Sequence, residues 1–339
     1  SYPGFYTAMG VIDPHPALAA ASPQAPVSDW FIGDDWHHNG AFLLQHAFRF
    51  MANFGESRKE PSSKPVPDFD FGSADGYRFY LRMGGMPEAN ARYFKSEIPF
   101  WNEMMEQGSY NAFWKARDLN PHLKALRVPM LTVGGWFDAE NLYGALEVYR
   151  SAERLSPGAW NKLVMGPWYH GQWARDDGAF LGDVTFGQKT SVYYRTEIEF
   201  PFFMHFLKGA PDPGLPEASL FESGTNRWRR FDQWPPRDAQ ARRLYFQPSG
   251  RLSFEAPAAR GEAFDEYGSD PAKPVPSTDK IGVGMSREHM TADQRFASMR
   301  PDVLVFETEP LQDDLTIAGP VTADLYVSTS GTDSDWIVK

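Results

Sequence analysis

Two short apolar segments of the chain each end in glycine and are followed closely by a polar side chain. Residues 128–133 lead through two glycines to Asp138, and residues 162–165 lead through one glycine to His170. Apolar runs of this length predict buried strands. A helical pattern over residues 142–155 separates them. Strands that alternate with helices predict an α/β protein with a parallel sheet.

The position of Asp138 and His170 directly after predicted strands gives them a chemical interpretation. In such sheets the carboxyl ends of the strands face the binding crevice. A carboxylate there can orient an imidazole and stabilise its protonated form, and a histidine on a loop suits a general base. The alternative for Asp138 is to cap the helix that follows.

The chain opens with Ser1, Tyr2, Pro3 and Gly4. Pro3 suits a first helical turn because its missing N–H would be unpaired there, and Gly4 would let the helix lie close to the sheet. Serine, acid and histidine then follow in the order of an α/β-hydrolase triad. The two residues that normally precede such a serine are absent. We therefore expect a piece of a longer protein, a processed chain whose Ser1 α-amino group is the base, or an ordinary terminal serine.

Composition narrows the classes of partner. The 339 residues carry a net charge of −11 without a basic cluster, which argues against nucleic acid and favours a cationic small molecule. The sequence contains no run of 18 apolar residues, so it predicts no membrane span. With no cysteine, disulfides and thiolate chemistry are excluded.

Residues 33–40 place two aspartates, Asp34 and Asp35, near two histidines, His37 and His38. Carboxylate and imidazole both ligate metals, but adjacent side chains seldom converge on one ion, so we predict neither a metal nor another cofactor. A solvated loop and a carboxylate that faces the pocket remain open. The spacing of apolar residues over 41–54 predicts a helix in which His46 is packed.

The domain boundaries follow from changes in pattern. Residues 1–68 and 127–214 are predicted to form an α/β-hydrolase core, interrupted by an aromatic-rich helical cap over 69–126. From residue 215 to 339 short β-rich runs such as 243–246, 303–306 and 323–327 alternate with turn residues, which predicts a β domain.

The motifs together resemble a known superfamily. They are Ser-Tyr-x-Gly at 1–4, Trp-Phe-Asp-Ala-Glu at 136–140, Gly-Pro-Trp-Tyr-His at 166–170 and Gly-Asp-Asp-Trp at 33–36. They are similar to those of the serine hydrolases that include the X-Pro dipeptidyl-peptidases (S15), cocaine esterase and, most similar, the α-amino-acid ester hydrolases. The resemblance implies an α/β-hydrolase core with an inserted helical cap and a following β jelly roll, here incomplete, so that both chain ends are expected to be truncated.

The resemblance also implies roles for individual residues. Ser1 would be the nucleophile, His170 the base and Asp138 its partner, with the Tyr2 backbone N–H as one oxyanion donor. The second donor, a tyrosine hydroxyl, would come from a segment before Ser1. The reaction would be acyl transfer from a small ester or amide.

Substrate selectivity in the α-amino-acid ester hydrolases comes from a carboxylate cluster that binds an α-ammonium group. Asp35 and Glu140 match two of its positions, with Trp36 beside them. The third position is Asn141, where that subfamily has aspartate, so we expect a weakened preference for α-amino acyl groups.

Two other functions stay open at this point. One is an X-Pro dipeptidyl-peptidase, which also binds a free amino group but needs a proline pocket. The other is a non-catalytic β-domain binding module on a degenerate hydrolase. The resemblance further suggests a secreted or periplasmic protein rather than a cytoplasmic one, and a homo-oligomer is possible.

Overall fold

The computed structural model describes residues 1–55, 57, 60–61, 63–65, 67–258 and 264–339. They divide into two compact units. The first comprises Ser1–Phe231 and Lys280–Ala292, and the second comprises Asp232–Asp279 and Asp293–Lys339. Within the described residues, no helix has both the length and the apolar character needed to cross a membrane.

Short helices and short strands make up the regular structure. The strands are β1 (His37–His38), β2 (Ala41–Phe42), β3 (Met130–Gly135), β4 (Asn161–Gly166), β5 (Phe180–Leu181), β6 (Val184–Thr185), β7 (Ala218–Glu222), β8 (Arg227–Phe231), β9 (Tyr245–Gln247) and β10 (Arg251–Ser253). The α-helices are α1 (Tyr2–Gly10), α2 (Leu44–Phe54), α3 (Gly76–Met83), α4 (Pro87–Ala89), α5 (Pro99–Glu106), α6 (Ala112–Lys115), α7 (Leu142–Leu155), α8 (Gln172–Arg175), α9 (Thr190–Tyr193), α10 (Phe200–Lys208) and α11 (Arg295–Ser298). Asn90–Phe94 and Tyr194–Glu199 are π-helical, and Asn120–His122 is a 3₁₀ turn.

The main sheet of the first unit has the order β3-β4-β7-β8. β3, β4 and β7 are parallel, and β8 is antiparallel at the edge. Every residue of β3 is buried, as expected for a parallel strand covered on both faces. The strands and the helix predicted at 128–133, 142–155 and 162–165 are therefore present, with β3 shifted two residues towards Asp138.

The segment before residue 26 runs beside β3 without forming a regular strand. Ala21 bridges Met130 and Gln24 bridges Val133, both in the parallel sense. Pro23 accepts a hydrogen bond from the Val133 N–H (2.9 Å). Because proline has no N–H to donate, the ladder is interrupted there.

Two further strands of the main sheet follow residue 214. β7 pairs with β4 from Leu163↔Ala218 to Met165↔Leu220, and β8 pairs with β7. These strands bury Ala218, Leu220 and Phe221 in the first unit. β7 and β8 therefore lie in the first compact unit, which runs to Phe231.

The helices between the two parts of the core share one aromatic interior. Phe48 on α2 is fully buried, and its ring centroid lies 4.7 Å from that of Phe94 and 6.3 Å from that of Trp101. Thus α2, which the sequence analysis assigned to residues 1–68 of the core, packs with the cap helices. Its buried face, with Ala47, Phe48 and Met51, needs that aromatic layer as a partner.

The second unit contains less β structure than the sequence pattern predicts. β9 and β10 form an antiparallel hairpin, and Arg251 bridges Glu307. Phe246 packs edge-on against Phe306 at 4.6 Å. Residues 323–327 are exposed and form no strand within the described residues. β-propensity alone does not form a strand, because the ladder needs a neighbouring strand and a face to pack against.

Candidate active site

Asp138 and His170 form a hydrogen-bonded pair at the carboxyl ends of β3 and β4. His170 Nδ1 lies 2.9 Å from Asp138 Oδ2. Asp138 is 1% exposed, and its Oδ1 accepts hydrogen bonds from the backbone N–H groups of Glu140 (2.8 Å) and Asn141 (2.9 Å). Asp138 thus does both things considered from the sequence: one oxygen orients the imidazole and the other holds the start of α7.

The pair favours its charged form. Burial opposes ionisation of Asp138, but the charge and hydrogen bond of His170 and two backbone N–H groups outweigh it and hold the pKa of Asp138 below its usual value. Burial likewise favours neutral His170, yet Asp138 and Glu140 raise the pKa of His170 above its ordinary value.

The last glycine of β3 lets the two loops approach each other, and the last glycine of β4 leaves room for the Trp168 ring of its own loop. A Cβ on Gly135 would lie 2.2 Å from the Trp168 carbonyl oxygen, and one on Gly166 would lie 2.4 Å from the Trp168 ring. The loops are also joined through the backbone: Trp136 N–H donates to Gly166 O (2.8 Å) and Phe137 N–H donates to Trp168 O (3.1 Å). Asp138 and His170 are therefore held by connected segments.

Ser1 lies at the start of α1 and is joined to this pair through Asn141, whose backbone N–H donates to Asp138. Its nitrogen donates to Ala25 O (2.6 Å) and to Asn141 Oδ1. Its hydroxyl makes no hydrogen bond to a described residue, so the third contact of a triad, from Ser1 Oγ to His170 Nε2, is not formed here. A nitrogen that donates to two oxygens is poorly placed to accept the serine proton, which favours His170 over the α-amino group as base.

The predicted close approach of α1 to the sheet is confirmed. A Cβ on Gly4 would lie 2.4 Å from Gln24 O. Tyr2 is the first residue of α1, and the first backbone bond of this turn runs from Phe5 N–H to Ser1 O (3.1 Å). The Tyr2 N–H is therefore among the helix N-terminal groups that lack an intrahelical acceptor, and such groups can bind an anion.

Asp34 is a structural centre that the sequence analysis did not single out from its neighbour. It is fully buried, and its carboxyl group accepts five hydrogen bonds. The donors are Ser28 N–H (2.7 Å), Ser28 Oγ (3.0 Å), Asp29 N–H (3.1 Å), Asn141 Nδ2 (3.3 Å) and Gly144 N–H (2.9 Å). Burial raises the pKa of Asp34 to about 7, against these hydrogen bonds. Asp34 connects the loop at residues 28–29 to the start of α7.

Asn141, the third predicted substrate-binding position, is enclosed by protein groups in this structure. It is 0% exposed, and its Nδ2 donates to Asp35 Oδ1 (3.1 Å) as well as to Asp34. With Oδ1 accepting from Ser1, both ends of the amide are used inside the protein. Asn141 holds Ser1 and the two aspartates together, because an amide can donate and accept at once.

Asp35 and Glu140 do lie together, and His46 joins them. Polar atoms of the three side chains lie within 4.8 Å of one another. Asp35 has a positive φ of 51°, and its N–H donates to Glu140 O (3.1 Å), which fixes the two loops side by side. Glu140 Oε2 lies 3.7 Å from His170 Nε2 and 3.9 Å from His46 Nε2. The sequence predicted a packed His46 and missed its proximity to Glu140.

Trp36 and His37 are buried and form part of the wall of the site. Trp36 is 3% exposed and contacts His46 and Phe50 (5.2 Å), so most of its ring is unavailable to a ligand. His37 Nδ1 lies 3.0 Å from Trp30 O. The carboxyl group of Asp34 is likewise enclosed by protein donors.

The sequence of this site matches a known family. The family model described as X-Pro dipeptidyl-peptidase (S15 family) matches residues 1–172, which include Ser1, Asp138 and His170. The chain belongs to the S15 family. A second model, the X-Pro dipeptidyl-peptidase C-terminal non-catalytic domain, matches residues 214–339. The S15 resemblance drawn from the motifs is confirmed.

Individual relatives are esterases and peptidases by name. The chain is 29% identical to a cocaine esterase from Rhodococcus sp. over 70% of its own length and 42% of the relative's. It is 26% identical to a putative serine esterase of Mycobacterium bovis, covering 79% of this chain and 39% of the other. The chain thus spans less than half the length of these S15 relatives.

Solved structures show the same architecture, an α/β core with a C-terminal domain. An aminopeptidase from a marine sediment Thaumarchaeota archaeon superposes with a TM-score of 0.83 at 39% identity, covering 92% of this chain and 51% of that one. An α-amino acid ester hydrolase gives a TM-score of 0.85 at 33% identity, covering 94% and 53%.

Proposed function

We propose that Ser1, His170 and Asp138 form the catalytic triad of a serine hydrolase that cleaves esters or amides of small acyl groups. The observation that carries this proposal is the 2.9 Å contact between His170 Nδ1 and Asp138 Oδ2, to which Ser1 is joined through Asn141. That contact leaves Nε2 of His170 as the nitrogen that can accept a proton. Membership of the S15 family supports the assignment.

The chemical steps follow from this arrangement. His170 Nε2 removes the proton of the Ser1 hydroxyl as Oγ attacks the acyl carbonyl carbon, and the carbonyl oxygen becomes an oxyanion. The Tyr2 N–H at the helix N-terminus donates to that oxyanion. Protonated His170 then gives its proton to the leaving alcohol or amine. Water, activated by His170, or an added amine attacks the acyl-enzyme and regenerates Ser1.

The acyl group that suits this site carries a positive charge. The carboxylates of Asp35 and Glu140 lie beside His170, and each has only part of its surface covered. A hydrogen bond to a charged group contributes about 1.5 to 3 kcal/mol. Two such acceptors support a preference for α-amino acyl groups, without any contribution from buried Asn141.

A second candidate function, aminopeptidase activity, follows from the match to a structure of that name at 39% identity. A peptide with a free N-terminal ammonium would present the same charge to Asp35 and Glu140 as an α-amino ester does. An X-Pro dipeptidyl-peptidase is one form of this candidate. The two reactions differ in the leaving group, which the described residues do not select.

The β domain belongs to the same proposal. The match of residues 214–339 to the C-terminal non-catalytic domain and the alternation of short β runs support a jelly-roll domain, of which β9 and β10 would be part.

The test uses the full-length protein. We expect a fluorophosphonate to label Ser1, and we expect Ser1→Ala to lose both labelling and turnover. The kcat/KM for phenylglycine methyl ester should exceed that for phenylacetic methyl ester, since the two differ by the ammonium group. Release of nitroaniline from amino-acyl or Ala-Pro nitroanilides, faster than ester cleavage, would favour the peptidase. A protein that is neither labelled nor active on any of these substrates would be the non-catalytic alternative.

A further inference from the structure

The Glu140 carboxylate lies between two imidazoles. Its Oε2 is 3.7 Å from His170 Nε2 on one side and 3.9 Å from His46 Nε2 on the other. Both distances exceed the range of a hydrogen bond, so Glu140 acts on each ring through its charge. The Glu140 side chain is 28% exposed, which leaves room for an incoming cation to reach it.

The nitrogen that Glu140 faces is the one that must accept the serine proton. Nδ1 of His170 is occupied by Asp138, so Nε2 is the basic nitrogen. An anion beside Nε2 stabilises protonated His170. Glu140 therefore keeps the base protonated to higher pH than Asp138 would alone, and protonated His170 cannot take a proton from Ser1.

We propose that Glu140 couples recognition of a cationic acyl group to the basicity of His170. When the substrate's ammonium pairs with Glu140, the carboxylate charge is compensated and no longer stabilises protonated His170. An acyl group without the cation binds next to a base that is still partly protonated. The substrate's ammonium thus raises kcat as well as the affinity of the enzyme for the substrate. This inference rests on the proposed hydrolase function and extends it.

Other charges face the same groups. Around His170 they are Asp138, the Ser1 nitrogen and Arg175, whose Nη1 donates to His170 O (2.8 Å). Around Glu140 and His46 they are Asp35, close to both, and His38, whose pKa is lowered by burial and by the charge of His46. Glu140 is the carboxylate among them that faces His170 Nε2 and can be reached by substrate, so it is the group to change.

The experiment compares pH profiles of the full-length enzyme for phenylglycine and phenylacetic methyl esters. The acid limb of kcat/KM reports the free enzyme and that of kcat reports the substrate complex. In the wild type, kcat/KM should have one acid limb for both esters, and kcat should have its acid limb at lower pH for the amino ester. Glu140→Gln should move the kcat/KM limb to lower pH for both esters and bring the two kcat limbs together. At pH values below the acid limb of the wild type, Glu140→Gln should raise kcat/KM for the phenylacetic ester several-fold over the wild-type value.

A matched variant separates charge from packing. His46→Gln removes the other imidazole beside Glu140 but keeps the carboxylate, so the separation of the two kcat limbs should persist. Coincident kcat limbs in the wild type, or a kcat/KM limb unmoved by Glu140→Gln, would overturn the coupling while leaving the hydrolase proposal intact. Hydrolysis of neither ester would instead overturn the function on which the coupling rests.

Discussion

The side-chain oxygen of Asn141 accepts a hydrogen bond from the backbone nitrogen of Ser1, 140 positions earlier in the chain. The same amide donates to Asp34 and Asp35. One buried side chain thus joins the proposed nucleophile to two carboxylates, one of which faces the substrate region.

Asn141→Asp should lower stability rather than restore selectivity for ammonium. The new carboxylate would be fully buried beside the carboxyl groups of Asp34 and Asp35, and it could no longer donate to them as the amide does. An uncompensated buried charge costs about 3 kcal/mol or more. We expect a lower Tm by thermal unfolding, a lower kcat, and an amino to des-amino ester ratio no higher than that of the wild type. A stable variant with a higher ratio would show that residue 141 contacts substrate.

Asp34→Asn should destabilise the loop that carries Asp35. All five hydrogen bonds to Asp34 are donated to it, and an amide NH₂ at this position would face a donor. A buried donor left without an acceptor costs about 1 to 3 kcal/mol. The midpoint of chemical denaturation should fall accordingly. The midpoint of Asp34→Glu should also fall, because this change keeps the charge but adds a methylene next to Gly144. An unchanged midpoint in Asp34→Asn would show that these hydrogen bonds add nothing to stability.

Asp138→Asn should reduce kcat by on the order of 10⁴ if the triad assignment is correct, the size of effect known for a serine-protease triad. The same change should move the acid limb of the pH profile. Asp138 raises the pKa of His170, so without its charge His170 loses its proton at lower pH and the residual activity extends to lower pH. A pH-rate profile checks this, and an acid limb that stays in place or moves to higher pH would argue against the pair.

Ionisation of His170 and Asp138 makes the free energy of unfolding depend on pH, and the direction of each effect follows from the pKa shifts. His170, with its pKa raised, contributes stability that is complete below the unfolded-state value and is lost as pH rises through the folded-state value. Asp138, with its pKa lowered, contributes stability that is lost as pH falls below its ordinary range. The free energy of unfolding of Asp138→Asn should therefore vary less with pH than that of the wild type in both ranges.

Gly4→Ala should displace α1 and with it Ser1. The added methyl would lie 2.4 Å from Gln24 O and 2.7 Å from Pro26 Cα, both backbone atoms that cannot move away independently. Gly10, at the other end of the same helix, would have no atom within 4 Å of an added methyl. Gly10→Ala should thus be neutral or stabilise by up to about 1 kcal/mol. The pair is compared by Tm and by the rate of fluorophosphonate labelling, and equal effects would contradict the packing argument.

The sequence predicted the parts of the site that depend on local pattern. Asp138 and His170 each follow a short apolar run, and parallel strands place their carboxyl ends at one edge, so their meeting could be anticipated. The burial of Asn141 could not, because it depends on Asp34, over a hundred positions away, entering the same space. For the same reason, the sequence does not show that Asp34 is fully buried whereas Asp35 is only partly buried.

The pairing of strands was harder to predict than their existence. β7 and β8 follow the last helix of the core, and only the pairing of β7 with β4, and of β8 with β7, shows that they extend the main sheet. Similarly, α2 lies in the stretch assigned to the core, yet Phe48 packs among the cap aromatics. Period and composition identify an element, whereas its partner is fixed by long-range contacts.

The backbone hydrogen bonds that join the loops after β3 and β4 have a practical meaning for anyone redesigning this protein. Asp138 and His170 are placed by main-chain atoms of those loops, from Trp136 to Gly166 and from Phe137 to Trp168. His46, in contrast, comes from α2, outside those loops. A library that varies residues on α2 can therefore search for new acyl preferences while the acid and base keep their spacing.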